Sequence, residues 1–213
     1  MNEQLLEEAR QRYGVDPWIH YNVVFVGASG QGKSSLINAF RRVKNNDARD
    51  LDGDGNRFGA AKFWDTPGGG TLTAGRDNFF ENHQLYAFDA VVVVTAGRFT
   101  EFDLEIIRDA LKWKKTVALV RTKADLDLDN LADEAEIDVK EVDKEAYRGQ
   151  VKAEIHANME RFGMAELKLV PVFIVSTAGL RGGTAKKPLA TYGMDERELT
   201  CDVLHGIVQQ RCL

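Results

Sequence analysis

Short, continuously apolar runs punctuate the chain at 22–26 (NVVFV), 61–64 (AKFW), 90–95 (AVVVVT), 116–121 (TVALVR) and 170–175 (VPVFIV). Runs of this length, rich in β-branched residues, suit strands buried on both faces, which is the condition of a parallel sheet. Between them apolar positions recur at helical spacing. Ser34–Arg42 is one such segment, Asp103–Lys114 sets Leu104, Ile107 and Leu111 on one face, and Tyr147, Val151, Ile155, Met159 and Phe162 repeat across 142–162. Asp195–Val208 reads as a closing helix, and the opening MNEQLLEEARQRYG as a charged N-terminal one. Strands alternating with helices predict right-handed crossovers and a three-layer α/β fold, a mostly parallel sheet with helices on both faces. The segment 43–60, VKNNDARDLDGDGNRFGA, breaks the pattern: it is polar, glycine-rich and non-periodic, and reads as a loop. Trp18, Trp64 and Trp113 read as core or edge packing.

Composition narrows this only a little. A chain of 213 residues with 44% apolar content fits one domain with a sizeable core. The expected division is an N-terminal helical extension, 1–19, and one domain, 20–213. A net charge of −5 argues against a general nucleic-acid binder, which would carry a basic patch. No apolar run approaches the ~20 residues of a membrane span, and the charged N-terminus is unlike a signal peptide. Association with a membrane surface is left open by this. Cys201 and Cys212 lack ligand spacing, so reduced thiols and a cytoplasmic setting are expected. His20, His83, His156 and His205 form no zinc pattern. Asp50, Asp52, Asp54 and Gly55 mimic the start of an EF-hand calcium loop, but its twelfth position, which needs a bidentate glutamate, is Ala61.

The chemistry lies at the ends of the apolar runs. Gly27, Gly32, Lys33 and Ser34 in GASGQGKSS fit the phosphate-loop pattern G-x-x-x-x-G-K-S/T, between a predicted strand and a predicted helix. In such a loop the backbone of Ser29, Gly30, Gln31, Gly32, Lys33, Ser34 and Ser35 surrounds phosphate oxygens at the positive end of the helix. Lys33 would reach the β- and γ-phosphates, and the Ser34 hydroxyl would ligate Mg²⁺. Asp65-Thr66-Pro67-Gly68 ends the second run. There Asp65 can ligate Mg²⁺ through water, and Gly68 can present its N–H to the γ-phosphate. The fourth run ends in Thr122-Lys123-Ala124-Asp125. A carboxylate at Asp125 can accept from guanine N1–H and the 2-amino group, whereas adenine lacks that amine and carries an acceptor at N1. The Lys123 stem would pack over the base. After the last run, backbone N–H groups of Ser176, Thr177 and Ala178 could meet guanine O6. Ligands of doubly wound sheets bind at this carboxyl edge, so a guanine nucleotide is expected.

These motifs resemble the GTPases of the translation-factor class, with a Ras-like P-loop fold. The surroundings SSLINAFRRV, FWDTPGGGT, LYAFDAVVVVTAGRFTEFD, ALVRTKADLDLDNL and VPVFIVSTAGL resemble the immunity-related GTPases more narrowly, over roughly residues 20 to 180. The resemblance implies binding of GTP and GDP with Mg²⁺, slow GTP hydrolysis, and self-association through the nucleotide-binding domain. Vertebrate members act in defence at pathogen-containing membranes.

Three departures qualify it. No threonine or serine lies between Ser35 and Thr66, where many GTPases place a switch threonine that ligates Mg²⁺. The same stretch is short for a switch loop plus a full strand, so the edge strand is expected to be missing or reduced. Gly69 occupies the place of the water-orienting glutamine of Ras-like proteins, so turnover is expected to be slow and assisted by a dimer partner or another group supplied in trans. The large helical region of longer family members is not expected here, and membrane attachment and defence are not carried over. Two functions therefore compete: a slow GTP hydrolase whose charge-stabilising residues are Lys33, Ser34 and Asp65, and a GTP-binding scaffold with negligible catalysis. An ATPase is a third reading, opposed by Asp125. Arg76 reads as a loop residue rather than an arginine finger, Ser29 as a phosphate neighbour without a catalytic role, and the acidic run 125–145 as a solvated face or helical insertion.

Overall fold

The computed structural model describes residues 3–41, 61–66 and 78–202. The loop read at 43–60, with its calcium-like acids at 50–55, and Gly68, Gly69, Arg76, His205 and Cys212 lie outside them, as does most of the stretch between Ser35 and Thr66 in which a missing or reduced edge strand is expected.

The chain runs α1 (Glu3–Tyr13), β1 (Tyr21–Val26), α2 (Lys33–Phe40), β2 (Ala61–Asp65), a single turn α3 (Phe79–Asn82), β3 (Ala90–Thr95) and α4 (Glu101–Lys112). It continues with β4 (Thr116–Arg121), α5 (Ala124–Ala135), α6 (Lys144–Glu160), β5 (Val172–Ile174) and the short turns α7 (Thr177–Leu180) and α8 (Leu189–Tyr192). Residues 196–202 are again helical. The sheet order is β2-β1-β3-β4-β5 and every pair is parallel. All five apolar runs are strands, and the expected three-layer α/β fold is the one observed. Ala61, the residue at the calcium-loop glutamate position, opens β2 and pairs with Tyr21.

Side chains alternate across the sheet, so each strand feeds two cores. Val24, Val26, Val91, Val93, Val117 and Leu119 pack with Ala9 of α1, Phe80 of α3, Ile107 of α4 and Met159 of α6. Val23, Phe25, Val92, Val94, Ala118 and Val120 pack with Leu36, Ile37 and Phe40 of α2 and with Leu199. This double burial is why the strands carry no polar alternation. α4 starts where Thr100 and Asp103 form a reciprocal capping box. α1 is bound to the body through Arg10 and Tyr13, which donate to the carbonyls of Ala87 and His83.

Two packing expectations need correction. Trp64 and Trp113 do pack: the Trp64 indole donates to the buried Asn22, and Trp113 stacks on Tyr86. Trp18, however, is 91% exposed. Asp16 accepts from the N–H groups of Trp18 and Ile19, and this local turn carries the indole away from the body. Phe162 is also exposed, because α6 ends at Glu160 and the helical face does not extend to it. No helix among the described residues is long and apolar enough to cross a membrane.

The far edge of the sheet is tied by one buried acid. Asp195 bonds Ile174 from both sides, its N–H donating to the Ile174 carbonyl at 3.0 Å and its carboxylate accepting from the Ile174 N–H at 2.9 Å. Arg148 and Lys152 of α6 pair with that carboxylate at 2.6 and 2.8 Å. Asp195→Ala would take the carboxylate away from Lys152, leave Arg148 with only the exposed Glu145, and open the end of β5. A loss of about 3 kcal/mol is expected, read as a lower urea midpoint; a change below about 1 kcal/mol would show that the cluster does not hold the edge.

Candidate functional site

β1 ends in Val26, and the chain must then turn tightly over its neighbour β3. A Cβ at Gly27 would lie 2.2 Å from the Val94 carbonyl oxygen, so no side chain fits there. Gly32 closes the loop in the left-handed region, φ 92°, just before Lys33 begins α2. No side chain caps α2, so its first N–H groups face the loop's concavity, the arrangement that binds anions.

Lys33 folds back into this loop. Its Nζ donates to the carbonyls of Gly27 at 2.8 Å and Ala28 at 3.0 Å, and the residue is buried. Burial pulls its pKa below the usual lysine range, and the nearby Asp65 charge opposes that shift. Ser34 presents its hydroxyl to Asp65 at the carboxyl end of β2, and the two are hydrogen-bonded. Thr66 fixes that strand end by donating from both N–H and Oγ1 to the Phe25 carbonyl. Ser29, Gly30, Gly32, Lys33, Ser34, Ser35, Asp65, Thr66 and Lys123 together line a cleft of about 400 Å³.

A hydroxyl and a carboxylate meeting at one point form a hard-oxygen pair of the kind Mg²⁺ uses. Mg²⁺ takes one or two protein ligands and completes its shell with phosphate oxygens and water. No cluster of three or more His, Cys, Asp or Glu able to hold a metal occurs among the described residues. Ser34 and Asp65 therefore fit a cation shared with a phosphate ligand rather than one caged by protein alone.

The loop after β4 is bolted onto the phosphate loop. Thr122 Oγ1 donates to the Gln31 carbonyl at 2.7 Å, while the Gln31 side chain accepts from the Ala96 N–H. Lys123 adopts a left-handed conformation, φ 63°, and caps α5, which puts it on the phosphate cleft and Asp125 in the first turn of that helix. The Ala124 N–H reaches the Val175 carbonyl, joining this loop to the end of β5.

At the third loop the backbone offers less than expected. The Ser176 N–H is engaged by the Glu196 carboxylate at 2.9 Å, and the Ser176 hydroxyl caps α7 by accepting from the Gly179 N–H. Only Thr177 and Ala178, as the first residues of a helical turn, keep N–H groups without an intrahelical acceptor. Glu196 is nearly buried, and burial raises its pKa while backbone N–H groups at Ser176 and Met194 draw it back. Sequence reading missed Glu196, because nothing local marks an acid twenty residues away as the anchor of this turn.

The acids of the run from Asp133 to Glu145 are exposed, the solvated face that its composition predicts, whereas the three at its start, Asp125, Asp127 and Asp129, are paired. Asp127 is paired with Arg121 at 2.7 Å and accepts from Tyr147. Asp125 and Asp129 both accept from Lys187, and Asp129 also accepts from Tyr192. Charge neutralisation by distant cations keeps this acid-rich helix in contact with its neighbours.

With this geometry in view, the chain can be set beside known proteins. Residues 17–181 match the family described as Interferon-inducible GTPase (IIGP). Mouse interferon-inducible GTPase 1 is 28% identical over 177 residues, covering 73% of this chain and 39% of that protein. Mouse T-cell-specific guanine nucleotide triphosphate-binding protein 2 is 25% identical over 171 residues, covering 75% of this chain and 40% of that one. The chain thus spans well under half the length of these relatives. Among solved structures, a probable GTP-binding protein engB superposes with a TM-score of 0.50 at 16% identity, over 88% of this chain and 99% of that one. The match to the family covers most of the chain, including every described loop at the nucleotide edge: the chain belongs to the interferon-inducible GTPase family.

Proposed function

We propose that this chain binds GTP and GDP together with Mg²⁺ and hydrolyses GTP slowly, as a cytoplasmic GTPase helped by self-association through its nucleotide-binding domain, 20–213. The observation that carries this reading is the bond between Thr122 and the Gln31 carbonyl, which sets the phosphate loop and the Asp125 loop side by side. A nucleotide lying along that edge would place its phosphates at Ser29–Ser35 and its base at Asp125.

Each residue then has a defined task. Lys33 gives up its two carbonyl partners for β- and γ-phosphate oxygens, and its partial burial strengthens that attraction. Ser34 and Asp65 would hold Mg²⁺, Asp65 through water, and the ion would supply positive charge against that developing on the leaving diphosphate. Gly68 would add an N–H to the γ-phosphate. Asp125 accepts guanine N1–H and the 2-amino group, the Lys123 stem covers the base, and the Thr177 and Ala178 N–H groups are available to O6. The part of Ser176 in this reading is to cap α7 and fix those N–H groups. Thr122 acts through the loop it tethers.

A second reading, a GTP-binding scaffold with negligible catalysis, is favoured by two features of the sequence: no threonine or serine lies between Ser35 and Thr66, and glycine stands at 69. GTP turnover across a dilution series, with Lys33→Ala as the blank, separates the two. Slow turnover that rises per molecule with protein concentration is expected; release of phosphate equal to the blank at the highest concentration would leave only the scaffold. Base choice has its own test. Asp125→Asn should lower GDP affinity on the order of a thousandfold and create binding of xanthosine diphosphate, whose 2-oxo group suits an amide donor. Unchanged GDP affinity in that variant would remove Asp125 from the base site.

A further inference from the structure

Asp125 shares its charge with a partner that no phosphate, metal or base motif includes. Lys187 Nζ donates to Asp125 Oδ2 at 2.6 Å and to Asp129 Oδ2 at 3.1 Å. These acids stand one turn apart on α5, so two like charges share one cation. Tyr192 donates to the other oxygen of Asp129 at 2.7 Å, and the Lys187 ammonium lies 5.2 Å from the Tyr192 ring centroid. Lys187 therefore lies along the flank of α5 that meets α8.

That placement is compatible with a bound base. An ionised carboxylate has about four lone-pair sites. Guanine N1–H and its 2-amino group use one on each oxygen, which leaves a site on Oδ2 for the ammonium. The lysine is half-buried and its partner Asp125 more so, which limits solvent screening of the contact. Burial alone would lower the Lys187 pKa, but bonds to the two carboxylates outweigh it and the net shift is upward.

We propose that Lys187 is a positioning residue for guanine recognition: it holds the Asp125 carboxylate oriented toward the base, with Asp129 and Tyr192 fixing the lysine in turn. This rests on the guanine reading above. Without Lys187, Asp125 faces the Asp129 charge unshielded and is free to rotate away from its two-point contact with the base.

Equilibrium binding of GDP and of xanthosine diphosphate, in the full chain with Mg²⁺, tests it through a double-mutant cycle. Lys187→Ala should weaken GDP binding about tenfold, with Lys187→Arg recovering most of the loss. In the Asp125→Asn background, adding Lys187→Ala should change xanthosine diphosphate affinity less than about twofold, because the neutral amide leaves no charge to hold. Asp129→Asn, which frees one end of the lysine but leaves Asp125 paired, should cost GDP affinity less than Lys187→Ala does. GDP binding by Lys187→Ala within twofold of the unaltered protein would overturn the proposal. So would an equal loss in the Asp125→Asn background, which would mark a general loosening of the loop. If Asp125→Asn itself kept GDP and ignored xanthosine diphosphate, the guanine reading would fail, and this proposal with it.

Discussion

The nucleotide edge depends on how the chain leaves β1. Gly27 must cross the Val94 carbonyl at a distance that admits no Cβ, and only then can the loop curl back so that α2 starts beneath it. The parallel sheet makes that crossing useful. With β1 between β2 and β3, the ends of all three strands open on the same side. The phosphate loop thus has Asp65 on one flank and the β3–α4 connection on the other, while β4 brings Asp125 one strand further along. Loops that are far apart in sequence are neighbours because strand order and direction leave them no alternative.

Polar ties then fix what the sheet brings together. Thr122 reaches the Gln31 carbonyl, Gln31 reaches Ala96, Ala124 reaches Val175, and Ser176 reaches Glu196. The first three join one loop of the edge to the next and the last ties the 176 turn to the helical segment 196–202, so the loops are held as a set rather than one at a time. Such preorganisation suits the nucleotide proposed above, whose phosphates carry several negative charges and whose base would be read by geometry.

Much of this was legible in the sequence, for physical reasons. A strand buried on both faces must be apolar throughout, so β1, β3 and β4 stand out as VVFV, AVVVVT and TVALVR. Short loops after such strands keep their motifs contiguous, which is why GASGQGKSS, DTPG and TKAD could be read directly. The rest depends on partners chosen by tertiary proximity. Nothing near Asp125 in the chain points to Lys187, nothing near Asp127 to Tyr147, and nothing near Ser176 to Glu196. Trp18 fails for the opposite reason: a local turn on Asp16 overrides the usual tendency of an indole to be buried.

The central claim is that this edge reads guanine, and a competition between bases tests it most directly. Calorimetric titration of the unaltered chain with GDP and with ADP, each with Mg²⁺, compares ligands that share phosphates and sugar and differ only in the base. GDP is expected to bind at least about a thousandfold more tightly, because adenine would leave the Asp125 carboxylate facing a lone pair with its charge desolvated. Equal affinities would contradict the account, leaving a phosphate-binding loop whose neighbouring carboxylate takes no part in choosing the base.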